Sequence, residues 1–160
     1  MILTNNLFYN KMYYLNHTFY KEITFSKGTD LIKNITSRDK LNSFIDNINY
    51  MNSHTGFIEY DYLVSETDKD IKLILITDQC IPVKEYLKDN KINKTFLIKM
   101  KKDIQKILAT IDYHGNINLD TIYYDGKNFY LSDLQFTNIY FEKAGTKKQD
   151  LIDLQKLTLM

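Results

Sequence analysis

Apolar and polar residues follow two different periods along this chain, and the switches between them divide it into elements. A period of two marks strands, because successive side chains leave a strand on opposite faces. The first 25 residues are rich in Tyr, Phe, Leu and Thr, with "NN", "YN" and "NH" as turns, and this predicts two or three short antiparallel strands at roughly Ile2–Leu3, Leu7–Leu15 and Thr18–Phe25. "SKGTD" then breaks the pattern. In "TSRDKLNSFIDNINYMNSH" the period lengthens: Leu41, Phe44, Ile45, Ile48 and Met51 recur at spacings of three and four, which predicts a helix capped by Thr36 or Ser37. "FIEYDYLVSE" and "KLILITDQC" predict two strands joined by a polar turn, the second continuously apolar from Leu73 to Ile76 as in a buried strand.

"PVKEYLKDN" predicts a short helix with Pro82 in its first turn. "NKTFLIKMKKDIQKILATIDY" carries the clearest stripe in the chain: Phe96, Met100, Ile104, Ile107, Leu108 and Ile111 on one face, lysines around the rest. "TIYYD" and "NFYLSD" predict a hairpin turning at Asp125-Gly126. "TKKQDLIDLQKLTLM" predicts a final amphipathic helix. The order is strands, helix, two strands, helix, long helix, hairpin, helix, so the fold class is α+β, with the strands concentrated in the first half.

Composition adds exclusions. A chain of 160 residues fits one domain or two small lobes sharing a core, and 44% hydrophobic with 14% aromatic content is ample for a packed interior. A net charge of +1 supplies no field that steers it to nucleic acid or an anionic membrane. Arg38 is its only arginine, which disfavours a dedicated phosphate-reading surface. Cys80, the single cysteine, excludes an internal disulfide and a cysteine-based zinc site and fits a reducing compartment, so a cytoplasmic location is expected. His17, His54 and His114 lack metal-ligand spacing, no apolar run is long enough to span a membrane, and "MILTNNLFYNKMYY" lacks the layout of a secretory signal.

The stretch "HGNINLDTIYYDGKNFYLSD", His114 to Asp133, gives the chemistry its focus. A histidine-led loop after a long helix, a hairpin and a closing aspartate, preceded by "TFYKEI" and "KLILITDQCIPVKEYL", resembles the protein kinase fold over most of the chain. The resemblance is closest to the minimal effector kinases that enteric bacteria inject into host cells, which keep little of the second lobe; "SDLQFTNIYFEKAGTKKQDLIDL" corresponds to their aspartate motif, tyrosine-rich stretch and lysine pair. It implies a reduced two-lobed architecture: residues 1–77 as a small antiparallel lobe with one helix, 78–80 as the hinge, and 81–160 as a minimal helical lobe. Lys21 takes the place of the phosphate-holding lysine, Thr77 that of the gatekeeper, and Asp78, Gln79 and Cys80 that of the hinge, which together would frame a nucleotide. Asp133 takes the magnesium-binding position, and Asp46 or Asp39 the carboxylate that pairs with the lysine.

The same comparison exposes what is missing. In the H-R-D-x-x-x-x-N loop the base position holds Asn116, whose carboxamide takes up no proton near neutral pH, and the second metal position holds Thr121. Gly115 replaces the arginine and Asn118 the loop lysine. The aspartate motif reads Asp133-Leu134-Gln135, with a glutamine where glycine gives conformational freedom. No G-x-G-x-x-G exists, and Gly28, the first glycine, follows Lys21. Lys21 and Asp133 are what remains of the machinery, while His114 fits a buried imidazole bonded to backbone.

The leading expectation is therefore a catalytically inactive kinase-like protein, without cofactor, that binds and modulates another protein as a bacterial, phage or viral effector or inhibitor. Tyr123, Tyr124, Tyr130, Tyr140 and Phe141 form the aromatic-dense candidate interface. Two alternatives stand beside it. One is an atypical kinase using ATP and magnesium with relocated groups, Asp120 replacing Thr121 as a metal ligand or Asp125 serving as base. The other is an unrelated α+β inhibitor of a host system, which a structure with Thr18–Phe25 unpaired from Lys72–Thr77 would favour.

Overall fold

A computed structural model of the chain describes residues 9–27, 31–78, 80–91 and 93–157. The proposed strand at Ile2–Leu3, the first two residues of Leu7–Leu15, Gly28 and Gln79 lie outside them. The fold is α+β. Strands β1 (Tyr9–Leu15), β2 (Thr18–Ser26), β3 (Asp61–Glu66) and β4 (Asp70–Thr77) form an antiparallel sheet in the order β1-β2-β4-β3, and helix α1 (Leu31–Asn52) packs on β2. Strands β5 (Ile81–Pro82), β6 (Ile122–Tyr124) and β7 (Phe129–Leu131) form a second sheet. Around it lie α2 (Val83–Tyr86), α3 (Lys94–Leu108), α4 (Phe136–Phe141) and α5 (Lys147–Lys156). One hydrophobic cluster runs through both parts, from Ile23 and Phe44 to Ile104, Phe136 and Leu154.

β2 follows its sequence pattern: Phe19, Lys21, Ile23 and Phe25 are buried while their neighbours face outward. It pairs with β4 in the register Phe19↔Thr77, Lys21↔Leu75 and Ile23↔Leu73. Thr18–Phe25 and Lys72–Thr77 are thus adjacent, so the unpaired arrangement that would have favoured the unrelated-fold alternative is not seen. β4 departs from expectation. Leu73 and Leu75 are buried, but Ile74 and Ile76 are only partly covered, because α1 shields one face of the sheet and the apolar run supplies both.

α1 begins at Leu31, five residues before the expected cap. Ser37 lies inside the helix, and its hydroxyl donates to the Ser26 carbonyl at 2.6 Å, tying helix to strand. Leu41, Phe44, Ile48 and Met51 make its buried face, as their spacing required. Phe57–Tyr60 does not extend β3. Phe57 bridges Leu131 in parallel, the Ile58 N–H donates to the Leu131 carbonyl at 3.0 Å, and the Leu131 N–H donates to the Gly56 carbonyl at 2.9 Å. This crossing joins the two sheets.

Pro82 ends β5 and precedes α2 instead of occupying its first turn. Asn93 caps α3, its Oδ1 accepting from the Phe96 N–H at 3.0 Å, and Thr146 caps α5 in the same way. α4 is an addition to the expected order. Six residues hold too few turns to show a helical period.

Gly56 is a conformational requirement of the crossing. Its φ is +95°, and a Cβ there would lie 2.7 Å from Ile107 Cγ1. Gly56→Ala is expected to lower unfolding free energy by about 1–3 kcal/mol, measured by urea denaturation.

Candidate functional site

The alternation of β2 carries Lys21 inward, where it is 1% exposed. A buried ammonium is tolerable only with charge compensation and full hydrogen bonding. Asp133 supplies the charge from just beyond β7, itself 2% exposed. Lys21 Nζ lies 3.1 Å from Asp133 Oδ1 and 3.0 Å from Oδ2, and it donates to the Tyr60 hydroxyl at 2.8 Å. Tyr60 donates to Asp133 Oδ1 at 2.8 Å, and Tyr9 donates to Oδ2 at 2.6 Å. The three ammonium protons therefore have acceptors, and each carboxylate oxygen receives two donors. The rings of Tyr9, Phe19, Tyr60 and Tyr123 surround the cation with centroids 5.1, 5.7, 5.4 and 5.2 Å from Nζ.

Each part of this cage is held from outside it. Asn52, at the end of α1, accepts from the Tyr60 N–H and donates to the Tyr60 carbonyl, both at 2.9 Å, fixing the backbone behind the phenol. Asp133 and Gln135 have φ of 58° and 59°. Gln135 thus adopts the left-handed conformation expected to need glycine. Its N–H donates to the His114 carbonyl at 2.9 Å, and its side chain donates to the Tyr113 carbonyl at 3.0 Å.

Three sequence-based assignments change here. Asp46 and Asp39 are both exposed, and the partner of Lys21 is Asp133. The α1 residue that reaches the motif is Asn47, which donates to the Leu134 carbonyl at 2.7 Å. Tyr123 is no interface residue. It is fully buried, with its hydroxyl 3.4 Å from that of Tyr60. Tyr124 and Tyr130 are partly exposed, Tyr124 packed among Tyr86, Phe96 and Phe129, and Tyr130 donating to Asp125 at 2.9 Å. Tyr140 and Phe141 form an edge-on pair at the end of α4 with Lys40 and Lys143 beside them.

The loop before the hairpin is closed on itself. His114 is buried, Nε2 lying 2.5 Å from the Ser132 carbonyl while Nδ1 accepts from the Asn116 N–H at 3.2 Å, the pattern of a neutral ring protonated on Nε2. Asn116 accepts from the Asn118 side chain at 2.8 Å. Thr121 is buried and donates to the Asn116 carbonyl at 2.7 Å. Asp150 of α5, which the sequence reading did not single out, anchors this loop: its carboxylate accepts from the N–H groups of His114 and Gly115 at 2.5 and 2.9 Å. Gly115 has φ +96°, and a Cβ there would collide with the Asn138 side chain. "QDLIDL" gave Asp150 no mark to separate it from an ordinary helix-surface acid.

Thr77 is buried at the end of β4, Asp78 is exposed, and Cys80 is nearly buried with its thiol pushed up to about 12, chiefly by burial and then by Asp125. Beside the cage a cavity of about 180 Å³ is lined by Met12, Phe19, Pro82, Lys84, Glu85, Lys88 and Asp120. It is smaller than the roughly 300–1,000 Å³ of small-molecule sites. Burial raises the Asp120 carboxyl against the opposing pull of Lys84 and Lys21.

Two solved structures of the bifunctional kinase-methyltransferase WbdD match this architecture, each with a TM-score of 0.50 and 10% identity. The fold is kinase-like. The matches cover 78% and 92% of this chain but 29% and 44% of those chains, so the likeness spans less than half of either. No family model and no curated protein sequence matches the chain.

The cage has a definite pH signature. Burial is the largest single influence on Lys21 and opposes its charge, but Asp133 and Tyr123 together outweigh it and hold the ammonium above the ordinary lysine value; burial, then Asp133, raises Tyr9 and Tyr60 well above the tyrosine value, and burial is also the main cause that takes Tyr123 to about 12. Groups raised in the folded state stabilise fully below their unfolded values of about 10 and lose that contribution as pH climbs through the folded values. His114 is lowered, first by burial, so its contribution is present above about pH 6.5 and is lost as pH falls through the folded value. Unfolding free energy should be level from about pH 7 to 10 and fall on both sides, with His114→Gln flattening the acid limb; denaturant titrations across pH check this. Lys21→Met and Asp133→Asn should each cost about 3–5 kcal/mol by leaving the other charge uncompensated, and the double variant should cost less than their sum.

Proposed function

We propose that this chain is a kinase-like protein without phosphoryl-transfer activity that works by binding and modulating another protein, as an effector or inhibitor does. The observation that carries the reading is the Lys21–Asp133 pair, closed on itself and sealed by Tyr9, Tyr60 and Tyr123. A phosphate bound at Lys21 or a metal bound at Asp133 would have to displace donors and acceptors already in place. Any ligand that needs the open form must also offset the cost of opening the pair, which weakens its binding. Asn116 at the base position and the self-bonded Thr121 support the same reading.

The partner surface we favour is the end of α4. Tyr140 and Phe141 are half-buried there, and Lys40 and Lys143 flank them, which suits a partner with apolar and acidic groups. Tyr130 and Tyr124 offer a second aromatic patch on the hairpin. No helix among the described residues is long and apolar enough to cross a membrane.

Millimolar ATP with magnesium should leave the thermal midpoint unchanged, and the purified chain should transfer no labelled phosphate to itself or to a generic substrate. A magnesium-dependent upward shift, or transfer abolished by Lys21→Ala, would instead support the atypical-kinase alternative.

A further inference from the structure

β3 is the outer strand of its sheet, and among the described residues nothing pairs with its far side. All six of its residues are exposed, and Tyr62, Leu63 and Val64 are 37%, 59% and 46% exposed. Strand edges of this kind are ordinarily guarded by lysine, proline or a bulge. Asp61–Glu66 contains no lysine or proline, carries charge only at its two ends, Asp61 and Glu66, and its register against β4 runs without a shift. The opposite outer strand, β1, has an irregularity between Tyr9 and Lys11.

We infer that β3 joins two copies of this chain, edge to edge and antiparallel, about a two-fold axis perpendicular to the sheet. The argument is one of self-complementarity. Such an axis places one residue opposite itself and pairs the rest symmetrically about it. Centred on Leu63, it sets Leu63 against the partner's Leu63, Tyr62 against the partner's Val64, and Asp61 against the partner's Ser65. Three apolar pairings then occupy the middle, one leucine pair and two of aromatic with β-branched residue, while each Asp61 meets a serine hydroxyl and each Glu66 lies beyond the paired strand. Moving the centre to Val64 sets Leu63 against serine and Tyr62 against Glu66, which is already held by Lys27 at 2.9 Å and by Arg38. The Leu63 centre is therefore favoured. The free N–H and C=O groups of the edge complete a ladder in the same step, and a net charge of +1 places little repulsion between copies. This inference is independent of the Lys21–Asp133 site.

Sedimentation of the full chain over a rising concentration series tests it, with a reversible dimer as the expected result. Leu63→Lys should raise the dimer Kd by roughly tenfold, because it opposes like charges on the axis. Its thermal midpoint at monomeric concentration should stay unchanged, since the side chain is exposed. Leu63→Cys should form an interchain disulfide under mild oxidation, whereas Leu15→Cys, similarly exposed at 54% on β1, should not. A chain that stays monomeric, a Leu63→Lys variant that dimerises as tightly as the parent, or equal cross-linking from both cysteines would overturn it.

Discussion

The structure turns on one buried ion pair. Lys21 enters the core because β2 alternates, and it can stay there because Asp133 neutralises it and the phenols of Tyr9 and Tyr60 fill the remaining hydrogen-bonding positions. The pair links the four-stranded sheet to the end of the hairpin, so the relative placement of the two sheets is written into its geometry. The Phe57–Tyr60 crossing reinforces the link by delivering Tyr60 from one sheet while bonding to Leu131 of the other.

A pair of this kind contributes uniqueness more readily than stability. Two charges taken out of water recover their desolvation cost only when the geometry satisfies every donor and acceptor. Here it does, and the four surrounding rings leave little room for an alternative arrangement. The same completeness explains the proposed loss of chemistry. In a working phosphotransferase the lysine and the aspartate must be free to meet a phosphate and a metal; in this chain they are satisfied by each other.

Much of the fold was legible because it rests on periodic burial. The stripe from Met100 to Leu108, the alternation in β2 and the turn at Asp125-Gly126 each announced an element. Lys21 and Asp133 were legible through the kinase resemblance as two residues of one cleft, but not as each other's partner, a place given to Asp46 or Asp39. The cage was not. Tyr9 and Tyr60 lie in segments whose sequence does not distinguish a phenol aimed at a buried charge from one aimed at solvent. Tyr123 and Tyr124 are adjacent, so which one faces inward depends on pairing with β5 and β7, which the sequence does not specify. Asp150 acts across 35 and 36 residues through backbone amides, a contact with no side-chain signature. Gln135 shows the converse: a residue type that argued against a left-handed turn occupies one, held by bonds to His114 and Tyr113.

The claim that the pair is closed to ligands can be read from the Lys21 ammonium itself. In a nitrogen-15 NMR spectrum of the lysine side chains, Lys21 should give a slowly exchanging ammonium signal, unmoved by millimolar ATP and magnesium and lost in the Asp133→Asn variant. A Lys21 signal that exchanges as fast as those of surface lysines, or that shifts saturably as nucleotide is added, would contradict the account.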